Sequence, residues 1–101
     1  MTQQYVVGQL SVLLGDLERS ASQWQPAVRD LRREVESSPL AGLPRLAEEA
    51  IGLGDTICWA ALEHGDVSRF RGCVKSAFAL GEFIDCAGLS GPRDSHYRGG
   101  R

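Results

Sequence analysis

One tight turn, with helices that mirror each other on its two sides, constrains this chain more than any other feature. The segment Glu63-His64-Gly65-Asp66 has residue types typical of one helix ending and another beginning. Gly65 suits the left-handed cap that closes a helix, and Asp66 suits the N-cap of the next. When the sequence is folded back between these two residues, apolar or small residues oppose each other at eight levels. The opposed pairs are Ala61 with Phe70, Cys58 with Cys73, Ile57 with Val74, Gly54 with Ala77, Leu53 with Phe78, Ile51 with Leu80, Ala50 with Gly81, and Ala47 with Ile84. The pattern predicts an antiparallel helical hairpin.

Hydrophobic periodicity predicts two more helices before this hairpin. Apolar residues recur at helical spacing over residues 3–20 (helix 1) and again over 26–37 (helix 2), where Pro26 suits a first helical turn. The hairpin helices themselves are expected over 43–64 (helix 3) and 67–87 (helix 4). We therefore predict an all-α fold, a small four-helix antiparallel bundle built around the C-terminal hairpin.

The distribution of charge separates the chain into a body and a tail. Residues 1–89 hold eight cations and twelve anions, a net charge of −4, whereas residues 90–101 carry +2. The tail has few apolar residues and no periodicity, so we expect a helical domain over 1–89 and a disordered basic tail over 90–101. The acidic body disfavours broad nucleic-acid binding, which needs a basic face.

Features that mark membrane or secreted proteins are missing from the sequence pattern. No run approaches the roughly 18 apolar residues of a membrane span, and the first residues lack the positive region of a signal peptide. The three cysteines follow no disulfide framework. We expect a cytoplasmic protein that does not bind membranes. The use of one lysine and no asparagine beside many arginines is typical of a GC-rich bacterial genome.

No arrangement of residues indicates catalysis, a cofactor or a metal. The adjacent pair Glu48 and Glu49 points in different directions on a helix, and neither has a histidine three or four residues away. His64 is six residues from Cys58, about 9 Å along a helix axis. Cys58 and Cys73 are predicted to be reduced and buried, with Cys86 the most reactive thiol. We expect no enzymatic activity, cofactor or metal.

Two surfaces stand out as candidate interfaces. Tyr5, Gly8, Val12 and Gly15 form an uncharged second strip on helix 1, in which each glycine costs about 1 kcal/mol of helix stability. Close approach by another backbone would offset that cost, and the approaching backbone could be helix 2 or a partner chain. Trp59 falls opposite the core stripe of helix 3, and tryptophan is enriched among residues that dominate binding. We predict that these five residues form an interface.

Helix 2 carries three arginines beside its narrow apolar stripe. Arg29, Arg32 and Arg33 suit a solvated amphipathic helix, and they also suit a site for an anion or an acidic partner. We therefore predict that the three arginines are a candidate contact site for an anion or an acidic partner.

The function that these surfaces favour is a non-enzymatic protein-interaction module, an adaptor or regulator, with a homodimer as one arrangement. The first alternative is a small-ligand-binding protein with a pocket near Trp24 or Trp59. The second is a nucleic-acid-associated protein that uses the helix 2 arginines and the basic tail.

Overall fold

A computed structural model describes residues 2–89 and shows four α-helices joined by short turns. The helices are α1 (Gln3–Arg19), α2 (Gln25–Ser37), α3 (Leu43–Glu63) and α4 (Val67–Cys86). One-turn 3-10 helices at Ser22–Trp24 and Leu40–Gly42 precede α2 and α3. No β-strand occurs in residues 2–89, so the predicted all-α class is confirmed. The predicted disordered tail lies outside the described residues.

Local signals in the sequence explain where the helices begin and end. The side chain of Thr2 accepts a hydrogen bond from the Tyr5 backbone N–H at 3.2 Å, which caps α1. Asp66 caps α4 in the same way, because Oδ1 accepts from the Arg69 backbone N–H at 3.1 Å. Gly65 adopts a φ of +73° in the turn that closes α3, a conformation that glycine adopts without steric cost. These contacts confirm the predicted stop and restart.

The helices pack as a ring in which each has two main neighbours. α1 lies against α2 and α4, and α3 lies against α4 and α2. The core is apolar, and no polar or charged side chain of residues 2–89 is buried. Its largest fully buried side chains come from all four helices and are Leu10, Leu14, Leu17, Val28, Val35, Leu43, Leu46, Ile57, Cys73, Leu80 and Ile84. The Cα atoms extend over 38 × 36 × 16 Å, so the molecule is thin in one direction.

The predicted hairpin register is confirmed at the level of Gly54 and Ala77. A Cβ atom placed on Gly54 would lie 3.4 Å from the Cβ of Ala77, so α3 and α4 approach closely there. Three of the predicted pairs are wrong. Val74 and Phe78 are exposed rather than turned towards α3 core residues, and a Cβ on Gly81 would meet nothing within 4 Å, so Gly81 does not face Ala50. The register of the hairpin determines the level of a residue along the helix axis. The direction of its side chain is set separately by the helical rotation of about 100° per residue. Phe78 precedes the buried Leu80 by two residues, which turns it to the outer side.

The sequence also predicted a chain that does not enter membranes. Within residues 2–89, none of the four helices combines the length and apolarity needed to cross a bilayer. The cellular compartment stays a prediction.

Candidate functional site

The outer side of the α3–α4 hairpin holds a groove with exposed apolar side chains on both of its helices. Trp59 and Leu62 line it from α3, and Val74 and Phe78 line it from α4. Its volume is 380 Å³. We call this surface, together with Asp55 at its edge, the hairpin groove.

Helical spacing explains why these side chains share one face. Trp59 and Leu62 are three residues apart, and Val74 and Phe78 are four apart, which are the spacings of neighbours on a helix surface. Trp59 is 63% exposed and Phe78 is 65% exposed, the largest values among the exposed large apolar side chains of the described residues. Contiguous exposed apolar surface of this kind marks sites of interaction. Sequence reasoning identified Trp59 and missed the other three, although their spacing was readable.

The charges beside the groove have opposite signs on its two sides. Asp55 and Glu63 are exposed on α3, and Arg71 and Lys75 are exposed on α4. Within residues 2–89, neither Asp55 nor Lys75 takes part in an ion pair. Both groups therefore remain available to charges on another molecule.

Two thiols lie beneath the groove, where the helices meet. Cys58 and Cys73 are free and buried, as predicted, while Cys86 is exposed. Burial, followed by the nearby Cys73 and Asp55, raises the pKa of Cys58 to about 11. Burial also raises the pKa of Cys73, whose Sγ donates a hydrogen bond to the Ser20 carbonyl at 3.2 Å. Both thiols are therefore protonated near neutral pH, whereas a cysteine nucleophile reacts as the thiolate.

The predicted strip on α1 is divided by the structure. At one end, the Tyr5 ring meets the Phe83 ring of α4 with centroids 6.2 Å apart and planes at 61°. At the other end, a Cβ on Gly15 would lie 3.3 Å from Nη1 of Arg32 on α2. Between them, a Cβ on Gly8 would meet nothing within 4 Å, and Val12 is 58% exposed. The strip therefore touches α4 at Tyr5 and an α2 side chain at Gly15, while Gly8 and Val12 between them are open, and its role as an interface stays a prediction.

The three α2 arginines have carboxylate partners inside the molecule. Glu18 accepts from Arg29 through Nη2 at 2.9 Å and Nε at 3.2 Å, and it lies 3.2 Å from Nη1 of Arg32. Nη1 of Arg33 lies 3.7 Å from Oδ1 of Asp30, which is three residues earlier on α2. Arg29 and Arg32 thereby join α2 to α1. Their role in binding an anion or an acidic partner stays a prediction, and binding would compete with these contacts.

A second cavity lies beside the other tryptophan, between the start of α2 and the α3–α4 turn. It has a volume of 260 Å³, and its lining includes Trp24, His64 and Arg69. Trp24 is half-buried and packs against the core. Its Nε1 is buried without a hydrogen-bond partner among the described residues. Because solvent does not reach this atom, a ligand in the cavity would not contact it without a rearrangement.

The described residues offer no metal centre. No group of three or more His, Cys, Asp or Glu side chains in residues 2–89 is placed to hold an ion. No family model matches the chain, and no curated protein or solved structure is significantly similar to it. The surfaces of the molecule are therefore the basis for a functional proposal.

Proposed function

We propose that this chain is a non-enzymatic protein-interaction module, an adaptor or regulator, and that the hairpin groove is its contact surface. The observation that carries the proposal is the exposure of Trp59 and Phe78 on opposite sides of one groove. Large aromatic side chains supply much of the binding energy when a partner covers them. Leaving both in water has no structural benefit for the isolated domain.

The groove also lies on two regular, packed helices, which favours binding. Its side chains project from the regular helices α3 and α4, whose inner faces are part of the core. The close approach at Gly54 and Ala77 fixes the distance between the two helices. A surface that is ordered before binding loses less conformational entropy when the partner arrives.

Site-specific photo-crosslinking in cells that produce the full chain tests the proposal. A benzophenone amino acid replaces Phe78 in one sample and the exposed Ala27 of α2 in a matched control. We expect a discrete protein adduct from position 78, reduced by a second substitution, Trp59→Ala, and none from position 27. Equal labelling from both positions, or no protein adduct at position 78, would contradict the proposal.

A small-ligand-binding protein is the second candidate, because the groove volume of 380 Å³ falls within the range of ligand sites. The groove is exposed along both helices, so a small molecule would leave part of the aromatic surface in water. Native mass spectrometry of the freshly purified chain separates the two candidates, since a retained small molecule favours the second. A nucleic-acid role has less support, because Arg29 and Arg32 already bind Glu18.

A further inference from the structure

We infer that the occupant of the hairpin groove is the hairpin groove of a second copy of this chain, in a two-fold symmetric dimer. The inference rests on the proposed function, because it names the partner for the same surface. Two-fold dimers are the commonest assemblies of identical chains, and each copy then presents the same patch.

The arrangement of charge makes this surface complementary to itself. Asp55 and Glu63 give the α3 side a negative charge, and Arg71 and Lys75 give the α4 side a positive charge. A two-fold axis parallel to the helices would place α3 of one copy over α4 of the other. Each acidic side would then meet a basic side, and it would do so twice in the dimer.

The hairpin register brings specific charges to the same level. Gly54 and Ala77 are opposed, so Asp55 lies level with Ser76 and within one residue of Lys75. A rotation about an axis parallel to the helices preserves these levels. Asp55 of one copy is therefore expected to approach Lys75 of the other, and because neither has an ion pair within residues 2–89, no internal contact is lost.

The other simple two-fold arrangement fits less well. An axis perpendicular to the helices would place α3 over α3, so Asp55 and Glu63 would face acidic side chains. Facing helices are antiparallel in both arrangements, so their dipoles do not distinguish the two axes and the charges do. At the open end of the hairpin, Glu48 and Glu82 are both exposed and acidic. The contact is therefore expected to be centred nearer the turn, where Trp59 and Leu62 lie.

Sedimentation velocity of the full chain over a range of concentrations is the first test. We expect a species of twice the 11.0 kDa chain mass. Phe78→Asp should weaken the dimer at least about tenfold, which corresponds to 1.4 kcal/mol. Gly8→Arg on the open part of α1 is the matched control and should leave the dimer intact. Loss of the dimer in Gly8→Arg alone would place the interface on α1 and overturn the inference.

A charge exchange between two variants tests the direction of the two-fold axis. Asp55→Lys alone and Lys75→Glu alone each create two like-charge pairs in a homodimer, so each should dimerise about tenfold more weakly. Mixing the two variants restores both opposite-charge pairs in a heterodimer, and wild-type affinity should return. Circular dichroism checks that each variant remains helical.

Every outcome of these experiments bears on the inference. A mixture that dimerises no better than its components would overturn the proposed pairing. A wild-type chain that remains monomeric at about 1 mM would also overturn it, since that concentration corresponds to only about 4 kcal/mol of binding. The proposed function would still stand in that case if position 78 crosslinks to a different protein, and it would fail if no protein adduct forms.

Discussion

Cys58 is the residue whose chemistry is most altered by its position. Its thiol lies under the exposed groove yet is only 9% exposed itself, so ionisation would place a charge in an apolar layer. That burial raises its pKa to about 11 from the usual 9.0. Cys86 is exposed at the last residue of α4. The three thiols should therefore differ sharply in reactivity.

Alkylation of the native chain followed by mass mapping measures this difference. At pH 8 we expect iodoacetamide to label Cys86 at least about ten times faster than Cys58 or Cys73, because only exposed thiolate reacts readily. The rate at Cys58 should continue to rise as the pH approaches 11. Preferential labelling of either buried thiol at pH 8 would show that the helices separate at this level.

The same shift in pKa links stability to pH. In the unfolded chain Cys58 ionises near its usual pKa of 9.0, whereas in the folded chain it stays protonated to about 11. Unfolding therefore releases a proton in this interval, so the contribution of Cys58 to stability is complete below pH 9 and is lost as the pH rises towards 11. The variant Cys58→Ala is the control and should show a shallower decline over that range.

At the scale of elements, the α3–α4 turn depends on two adjacent residues. Gly65→Ala should lower the free energy of unfolding by about 1–2 kcal/mol, because a φ of +73° is unfavourable for a residue with a Cβ. Asp66→Ala should lower it by about 1 kcal/mol through loss of the N-cap. Urea denaturation provides the measurement.

Gly52→Ala is the matched control for the turn. Gly52 lies on the exposed side of α3, where an added Cβ meets nothing within 4 Å. Alanine should stabilise the helix there by about 1 kcal/mol. If Gly65→Ala and Gly52→Ala change the free energy of unfolding in the same direction, the roles assigned to these two glycines are contradicted.

The helices were predictable from the sequence because their boundaries depend on local contacts. Thr2, Asp66, Gly65 and the prolines in the first turns of α2 and α3 act within a few residues of their own position. The groove was less predictable. Matching residues of two helices by their level along the axis does not show how each helix is rotated about its own axis. The level of Phe78 opposite Leu53 predicts burial, yet its rotation leaves it exposed. Trp59 is more predictable, because the helical projection of α3 puts it opposite the core stripe, where it is exposed.

At the scale of the whole molecule, the buried core lies between Val6 and Ile84. Beyond α4, Gly88 takes a φ of +75°, and the backbone N–H of Leu89 donates to the Ile84 carbonyl at 3.0 Å. Leu89 also packs, half-buried, against the core. These contacts attach Leu89 to the core, and the division of the chain after it stays a prediction.

A chain that ends at Leu89 tests that division. It should unfold in one cooperative transition with a melting temperature within about 5 °C of the full chain, because a loss of 1 kcal/mol shifts a domain of this size by about that much. A chain that ends at Cys86 is the control. It lacks the Gly88 turn and the Leu89 side chain, so its melting temperature should fall further. If ending the chain at Leu89 lowers the melting temperature as much as ending it at Cys86, residues 90–101 contribute to the fold, and the helical domain extends beyond residue 89.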